Sequence, residues 1–365
     1  MIYLNELSFK YKQMGIQNLN KLLKDNCPNI FKPIHLSEFM YKKVAIDTSL
    51  FMFRFKAVAE ERWLSVFINL VASLRRNEVH CVFIYDGKAP EEKRQEITKR
   101  YEQKAKLEES NYKLIEALEE FHKTGTIDQC LIDLYKKRKS PKRLLKPDSR
   151  IDMDWVERKI KHREAQVIKV SPDDFQLTKE LFDILDVPYY NAPDEAEKFC
   201  AQLCKNGLVD AVLSEDTDLI AYGTPIFLSK IDTKIDNCIM ISFENILTEL
   251  DITYEQLLDI CIMCGTDYNS NIPKIGPKNA FKLIKEHQNI ENIATNTSLD
   301  VSILNHTRGR ELFTTFQVEE LPSTINYCGH PNFTKLQDFI NTHNITTDME
   351  TLKKYFDTKI IICDE

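Results

Sequence analysis

The sequence predicts an α/β fold built on a mainly parallel β-sheet flanked by helices. Short apolar runs have the length and composition of buried parallel strands: Val44–Ile46, Val79–Tyr85, Ala211–Leu213, Ile226–Leu228 and Cys238–Ile241. Segments with helical periodicity, such as Trp63–Arg76 and Phe175–Leu185, separate these runs. Strands that alternate with helices favour a parallel sheet with helices packed on its faces.

Composition restricts the classes to which the chain can belong. The 365 residues are 43% hydrophobic, which allows one large domain or two smaller ones. The net charge of −7 argues against a uniformly basic nucleic-acid binder. The sequence has no apolar stretch of about 18 residues, and its first residues lack the apolar core of a signal peptide. We therefore expect an intracellular protein without a membrane partner, in which the ten cysteines are reduced thiols.

A long charged segment interrupts the α/β rhythm between about Glu91 and Arg163. Its pattern is largely helical, and it contains the basic run KKRKSPKRLLK at 136–146. Such a run is compatible with a solvated face, with a surface that binds backbone phosphates, or with a nuclear-import signal. The sequence leaves these three interpretations open.

Acidic residues lie in five short motifs, most of them at predicted strand or helix ends. They are Asp47 in VAIDTS, Asp86 in VFIYDGKAP, Glu195 and Glu197 in APDEAEKFCAQL, Asp216 and Asp218 in VLSEDTDLIAYG, and Asp267 in MCGTDY. Ligands of doubly wound sheets gather beyond the carboxyl ends of the strands, so these side chains can meet in space. Converging carboxylates repel each other unless cations neutralise them, and Mg²⁺ prefers oxygen ligands. The pattern therefore predicts a magnesium site, and two such ions roughly 4 Å apart can hydrolyse a phosphodiester.

These motifs resemble those of the flap endonucleases, within the XPG-like family of structure-specific 5′ nucleases. MGIQNLNKLL at 14–23 is similar to the family's N-terminal signature, and VAIDTS, YDGKAP, APDEAE, SEDTD, GTDY and IPKIGPKNA follow in the family's order. The resemblance covers Met14 to Ile290 and continues more weakly to about residue 356. It implies a PIN-like sheet with a helical arch insertion and a C-terminal helix–two-turn–helix region that binds DNA.

The resemblance also implies roles for individual residues. The seven acidic residues match the family's metal ligands, which hold two Mg²⁺ ions for which Mn²⁺ can substitute. Lys93 and Arg100 match the basic residues at the base of the arch, which stabilise charge on the scissile phosphate. Phe53 stands where the family often has a tyrosine that stacks on a base, and a phenyl ring offers the same π face. Without the resemblance, Phe53 would be interpreted as a core residue.

The glycine- and proline-marked hairpin at 272–278 resembles the family's grip on the duplex backbone. Lys274, Gly276 and Lys278 belong to it, and backbone N–H groups at a helix start bind phosphate without reading sequence. The family often places a potassium ion in this hairpin, which here would rest mostly on backbone carbonyls. We therefore expect branched or flapped DNA as the partner.

The expected domain organisation has six segments: an N-terminal extension (1–13), an N-terminal nuclease half (14–90), a helical arch or cap (91–165), an internal nuclease half (166–250), a helix–two-turn–helix region (251–295) and a C-terminal helical region (296–365). The family's chain begins at the glycine of MGI, so we expect Met14 to be the true start. Met349–Phe356 has the apolar and aromatic spacing of a sliding-clamp box but lacks its glutamine, and it also fits an ordinary amphipathic helix.

The function implied is a magnesium-dependent nuclease that hydrolyses phosphodiester bonds at 5′ flaps and related branched DNA, with 5′–3′ exonuclease activity, in replication, repair or recombination. Sibling activities on bubbles or four-way junctions are alternatives within the family. A non-catalytic nucleic-acid-binding relative is the alternative from another class, but such a relative would be expected to lose metal carboxylates. We expect a monomer, located in the nucleus of a eukaryotic host or otherwise intracellular, including a viral replication site.

Overall fold

The computed structural model of the protein describes residues 15–137, 151–164, 167–316 and 320–356. The expected N-terminal extension and most of the basic run at 136–146 lie outside the described residues. The chain forms two compact units, one from 15–94 together with 170–356 and the other from the described part of 95–169. The domain boundaries expected from the sequence stay predictions.

A mixed sheet forms the centre of the first unit. Within the described residues it has seven strands, which are β1 (Lys32–His35), β2 (Lys43–Asp47), β3 (His80–Tyr85), β4 (Tyr189–Asn191), β5 (Ala211–Leu213), β6 (Ile226–Asp232) and β7 (Asn237–Ser242). Their order across the sheet is β1-β7-β6-β5-β2-β3-β4. Strands β2 to β6 run parallel to one another, which confirms the predicted mainly parallel sheet.

One predicted parallel strand is wrong in its direction. The run Cys238–Ile241 lies in β7, which pairs antiparallel with β6 and with β1. Only the short connection 233–236 separates β6 from β7, and a tight turn can join antiparallel strands only. Strands β1 and β4 were not predicted, because β1 contains Pro33 and β4 is not a buried apolar run.

Helices alternate with the strands up to β6, as predicted, and the described chain after β7 is helical. They are α1 (Leu19–Asn26), α2 (Thr48–Ala59), α3 (Trp63–Arg76), α4 (Arg94–Thr124), α5 (Gln129–Lys136), α6 (Met153–Glu164), α7 (Pro172–Leu185), α8 (Ala196–Lys205), α9 (Asp218–Ala221), α10 (Phe243–Leu250), α11 (Tyr254–Cys264), α12 (Pro277–His287), α13 (Ile290–Asn296), α14 (His306–Thr314), α15 (Phe333–Thr342) and α16 (Met349–Phe356). Local chemistry sets several starts. A capping box between Ser171 and Asp174 precedes α7, and one between Thr253 and Gln256 precedes α11.

Two apolar cores cover the two faces of the sheet. Ala45 of β2 points into one core, and its neighbours Val44 and Ile46 point into the other, as the period of two in a strand requires. Helices α1, α8 and α11 contribute to the first core, and α2, α3 and α7 contribute to the second. Coverage on both faces explains why the strands read as continuous apolar runs.

The apolar residues of helix α16 pack within the first unit. Leu352 and Phe356 are buried in the second core, and the guanidinium of Arg76 lies 4.7 Å from the ring centroid of Tyr355. The segment is therefore an amphipathic helix with its apolar face packed on the unit, while a sliding-clamp partner stays a prediction. In the described part of the chain, no helix is long and apolar enough to cross a membrane.

The second unit has a small core of its own. Leu114 of α4, Leu131 of α5 and Val156 of α6 are buried together. Arg163 donates through Nε to Asn111 Oδ1 at 2.9 Å and ties the end of α6 to α4. This unit is helical in its described residues, as the pattern of the segment predicts.

Candidate active site

Three aspartates follow three neighbouring parallel strands. Asp47 is the last residue of β2, Asp86 directly follows β3, and Asp216 lies just beyond β5. Strand β2 lies between the other two, so the carboxyl ends of all three strands meet at one edge of the sheet. Asp47 is buried and also caps α2, since its Oδ1 accepts a hydrogen bond from the Leu50 N–H at 3.1 Å.

The start of α8 brings two glutamates to the same edge. Glu195 is the N-cap residue of α8, and Glu197 lies in its first turn. Asp86 holds this start in place, because its Oδ1 accepts a hydrogen bond from the Ala196 N–H at 2.9 Å. Gly87 also contacts this segment and donates its N–H to the Asp194 carbonyl at 2.6 Å. A Cβ at Gly87 would lie 2.7 Å from the Pro193 carbonyl oxygen, so the motif YDGKAP needs glycine there.

The turn after β5 carries the next pair of carboxylates. The Asp216 N–H donates to Ser214 Oγ at 3.1 Å, and Asp216 Oδ1 accepts from the Asp218 N–H at 2.8 Å. Both aspartates are buried. The backbone of Gly15 lies directly against this turn at a φ of 74°, and a Cβ there would meet Asp218 Oδ1 at 2.8 Å. The glycine of the MGI signature therefore closes one side of the cluster.

Lys93 places a positive charge among these carboxylates. It ends the short turn Glu91–Lys93, and its side chain is only 14% exposed. Its Nζ forms ion pairs with Glu195 Oε1 and, at 3.2 Å, with Asp267 Oδ2. Asp267 lies in the loop after α11. Among the described residues, no group of three or more Asp, Glu, His or Cys side chains is arranged to hold a metal ion as it stands.

The electrostatics show how crowded the cluster is. Burial, followed by the charge of Asp86, raises the pKa of Asp47 well above its usual range. Burial and Asp47 raise the pKa of Glu197, and burial and Asp216 raise that of Asp218. Burial alone would lower the pKa of Lys93, but the surrounding carboxylates outweigh burial and raise it.

A cation would relieve this arrangement. Asp218 Oδ1 is buried and has no hydrogen-bond partner, although buried oxygens are normally satisfied. The charges that act on Asp218 include the carboxylates of Asp216, Asp267 and Glu195, whose oxygens suit a hard divalent ion such as Mg²⁺. The residues therefore fit a metal by their chemistry, by their mutual repulsion and by this one unsatisfied oxygen.

Sequence reasoning missed two tyrosines beside the cluster. The hydroxyl of Tyr268 donates to Glu195 Oε2, and the hydroxyl of Tyr222 is hydrogen-bonded to that of Tyr268. Tyr268 directly follows Asp267 in the motif GTDY, but its partner Glu195 is 73 residues away. The position of Tyr268 in this motif was the only signal in the sequence, and it does not indicate the hydrogen bond to Glu195.

Comparison with known proteins identifies the family. The XPG N-terminal domain model matches residues 14–107, and the XPG I-region model matches residues 186–267. The probable RAD2-like endonuclease 369L of Invertebrate iridescent virus 6 is 30% identical over 383 residues, covering 94% of this chain and 92% of that protein. The chain belongs to the XPG-like nuclease family. Its resemblance to that family is thereby confirmed.

Two further relatives of this XPG-like nuclease extend the comparison. Flap endonuclease 1-A of Sorghum bicolor is 32% identical over 304 residues, which cover 79% of this chain and 70% of that protein. The solved catalytic core of Rad2 in complex with DNA substrate superposes with a TM-score of 0.66 at 18% identity, covering 93% of this chain and 98% of that one. The structural likeness confirms the PIN-like nuclease fold.

Phe53 and Arg100, two further residues predicted for the site, lie on helices α2 and α4. Phe53 lies on α2, the helix that Asp47 caps, and is 43% exposed. It is therefore not a core residue, which removes the interpretation that competed with base stacking. Arg100 belongs to the second unit, where its Nε lies 3.2 Å from Glu96 Oε1. The catalytic role of Arg100 stays a prediction.

The predicted hairpin forms the N-terminal approach to α12. Gly276 is the N-cap residue of α12, and Lys274 and Lys278 are exposed on either side of it. Lys274 has a φ of 69°, and Asn271 holds the turn by donating Nδ2 to the Ile275 carbonyl at 3.1 Å. Contact of these residues with DNA stays a prediction.

Proposed function

We propose that this XPG-like chain is a magnesium-dependent, structure-specific 5′ nuclease that cuts DNA at 5′ flaps and related branches, with 5′–3′ exonuclease activity at the same site. Its relatives are named flap endonucleases and RAD2-like endonucleases. The observation that carries the proposal is the cluster of acidic side chains around Lys93 at the carboxyl edge of the sheet.

The acidic residues of this cluster are the ones proposed to hold the metal. They are Asp47, Asp86, Glu195, Glu197, Asp216, Asp218 and Asp267. We propose two Mg²⁺ ions, since seven carboxylates exceed what one ion needs. When bound, Mg²⁺ supplies the activation of a water and the stabilisation of the leaving oxygen.

The chain's own residues have to bring the phosphate to this cluster. Lys93 keeps its proton at neutral pH because the carboxylates raise its pKa. Its ammonium therefore can donate to a non-bridging oxygen of the scissile phosphate and stabilise charge there. We propose that Arg100 makes the same type of contact with the phosphate. We also propose that Phe53 stacks on a base, and that Lys274, Gly276 and Lys278 bind the backbone of the duplex.

The test uses three labelled substrates with the full chain: a 5′-flap duplex, a matched nicked duplex and a four-way junction. Each is incubated with Mg²⁺ or with EDTA. We expect cleavage at the base of the flap that needs Mg²⁺ and that is faster than cleavage of the other two substrates. Equal rates on all three substrates would contradict structure specificity for flaps. Tight DNA binding without any cleavage would favour a non-catalytic relative.

A further inference from the structure

Both carboxylate oxygens of Glu195 are used within the protein. Oε1 pairs with the ammonium of Lys93, and Oε2 accepts the hydroxyl proton of Tyr268. An ionised carboxylate only accepts hydrogen bonds, so the single proton of Tyr268 is committed to Glu195. The hydroxyl of Tyr222 must then donate to Tyr268. The result is a directed chain of hydrogen bonds that ends on a carboxylate of the cluster.

Helix α14 packs against this chain of hydroxyl groups. Phe313 is buried, and its ring centroid lies 4.9 Å from that of Tyr222 and 5.2 Å from that of Tyr268. The rings meet at angles of 57° and 64°, closer to the edge-to-face arrangement that aromatic pairs prefer than to a face-to-face stack. Phe313 therefore limits the rotation of both phenols.

The same helix also contacts the turn that carries Lys93. Arg308 donates through Nε to Glu92 Oε1 at 2.6 Å, and Glu92 directly precedes Lys93 in the turn Glu91–Lys93. A second ion pair joins Arg308 to Glu311 on α14 itself at 3.0 Å. Lys93 and Glu195 form the central ion pair of the cluster. Helix α14 contacts Glu92, which precedes Lys93, and Tyr268, which binds Glu195.

We propose that Tyr268 and Arg308 are positioning residues of the nuclease site. Tyr268 orients Glu195, Arg308 orients the turn that carries Lys93, and α14 fixes the positions of both residues. This inference rests on the proposed function for the meaning of the site, but its contacts stand independently of any cleavage. It gives a role in the site to α14, which follows the last of the motifs that the sequence points to.

The first test compares Tyr268→Phe with Tyr254→Phe in the full chain. Tyr254 is the matched control because its hydroxyl also makes a partly buried hydrogen bond, to the Ala221 carbonyl at 2.9 Å, without contacting the cluster. Mn²⁺ affinity is measured by calorimetry without DNA. Loss of a group that orients a metal ligand weakens metal binding by roughly 10- to 100-fold, which we expect for Tyr268→Phe alone.

Flap cleavage by the same variants gives the second readout. We expect Tyr268→Phe to lower kcat at saturating Mg²⁺ while the affinity for flap DNA stays unchanged. Wild-type Mn²⁺ affinity in Tyr268→Phe, or an equal loss in Tyr254→Phe, would overturn the role of Tyr268. Because calorimetry needs no cleavage, failure of this inference is distinguishable from failure of the proposed function.

Arg308 is tested through its coupling to Lys93. Its ion pair with Glu92 is partly exposed, so Arg308→Gln should lower kcat only about two- to fivefold. In a Lys93→Ala background the same substitution should have no further effect, because the group that it positions is gone. Glu311→Gln removes the other partner of Arg308 and should leave kcat unchanged. Equal effects of Arg308→Gln in both backgrounds would refute the positioning role.

Discussion

Gly15 offers the sharpest perturbation of the site. In a Gly15→Ala variant the new Cβ would lie 2.7 Å from Thr217 Oγ1 and 2.8 Å from Asp218 Oδ1, with Asp216 Oδ1 closer still. Ordinary contact begins at 3.4 Å, so Asp218 Oδ1 has to retreat by about 0.6 Å, from 2.8 to 3.4 Å, and Asp216 by more. Displacements on the order of 1 Å at a reacting centre cost roughly 100-fold in rate, which is the loss of kcat that we expect.

The substitution also strains the backbone, and Gly207 controls for that effect. Gly207 has a φ of 71°, close to the 74° of Gly15, but a Cβ there meets nothing within 4 Å. A left-handed backbone costs an alanine about 1–2 kcal/mol of unfolding free energy in both variants. Gly15→Ala should lose more than Gly207→Ala, because its Cβ also overlaps the buried turn. Only Gly15→Ala should lose activity, because only its Cβ displaces carboxylates.

The assay measures kcat on a saturating 5′-flap duplex with excess Mg²⁺, beside a thermal melt of each variant. Wild-type kcat in Gly15→Ala would refute the inferred contact between Gly15 and the turn at Asp216. A similar loss of kcat in Gly207→Ala would show that backbone strain, and not displacement of the carboxylates, is responsible. The melts show whether either variant is folded at the assay temperature.

Four further predictions concern the charges of the cluster and the exposed ring of Phe53. Lys93→Ala should lower kcat at saturating flap DNA far more than it weakens DNA binding, and a change in binding alone would contradict the assigned role. Asp218→Asn should stabilise the protein in EDTA by about 1–3 kcal/mol, because the unpaired buried oxygen belongs to a charged group that repels its neighbours. Burial and neighbouring carboxylates raise the pKa values of Asp47, Glu197 and Asp218. The folded state therefore holds these protons more tightly than the unfolded state. In EDTA, stability should fall as pH rises from the usual values of 3.8 and 4.5 through the raised ones, and a Tm that rises between pH 5 and 8 would contradict this. Phe53→Ala should leave Tm nearly unchanged, since the ring is exposed, but should lower flap cleavage, which Phe53→Tyr retains.

The local sequence was sufficient to predict that the aspartates at the strand ends lie close together. Asp47, Asp86 and Asp216 each follow an apolar run, and the carboxyl ends of parallel strands share one edge of a sheet. Their meeting therefore follows from local pattern and topology. The direction of β7 was missed because a buried apolar run has no signature of its orientation.

Contacts between side chains that are far apart in the sequence could not be predicted from the sequence pattern. Tyr268 and Glu195 are 73 residues apart, and Arg308 and Glu92 are 216 residues apart. Neither pair has a spacing that a helix or a strand would impose. Gly15 could be recognised as part of a signature. The reason that glycine is needed there is the close approach of its backbone to Asp218, which exists only in the folded chain.

The long reach of these contacts has a consequence during protein synthesis. The cluster draws on positions from Gly15 to Asp267, and α14, whose Phe313 and Arg308 contact its surroundings, is made later than all of them. A ribosome releases the chain from its N terminus onward. Every acidic residue of the cluster has therefore been translated before the helix that packs beside it. A nascent chain that stops before α14 carries the acidic residues without the helix that packs beside them, so we expect full nuclease activity only after α14 has emerged.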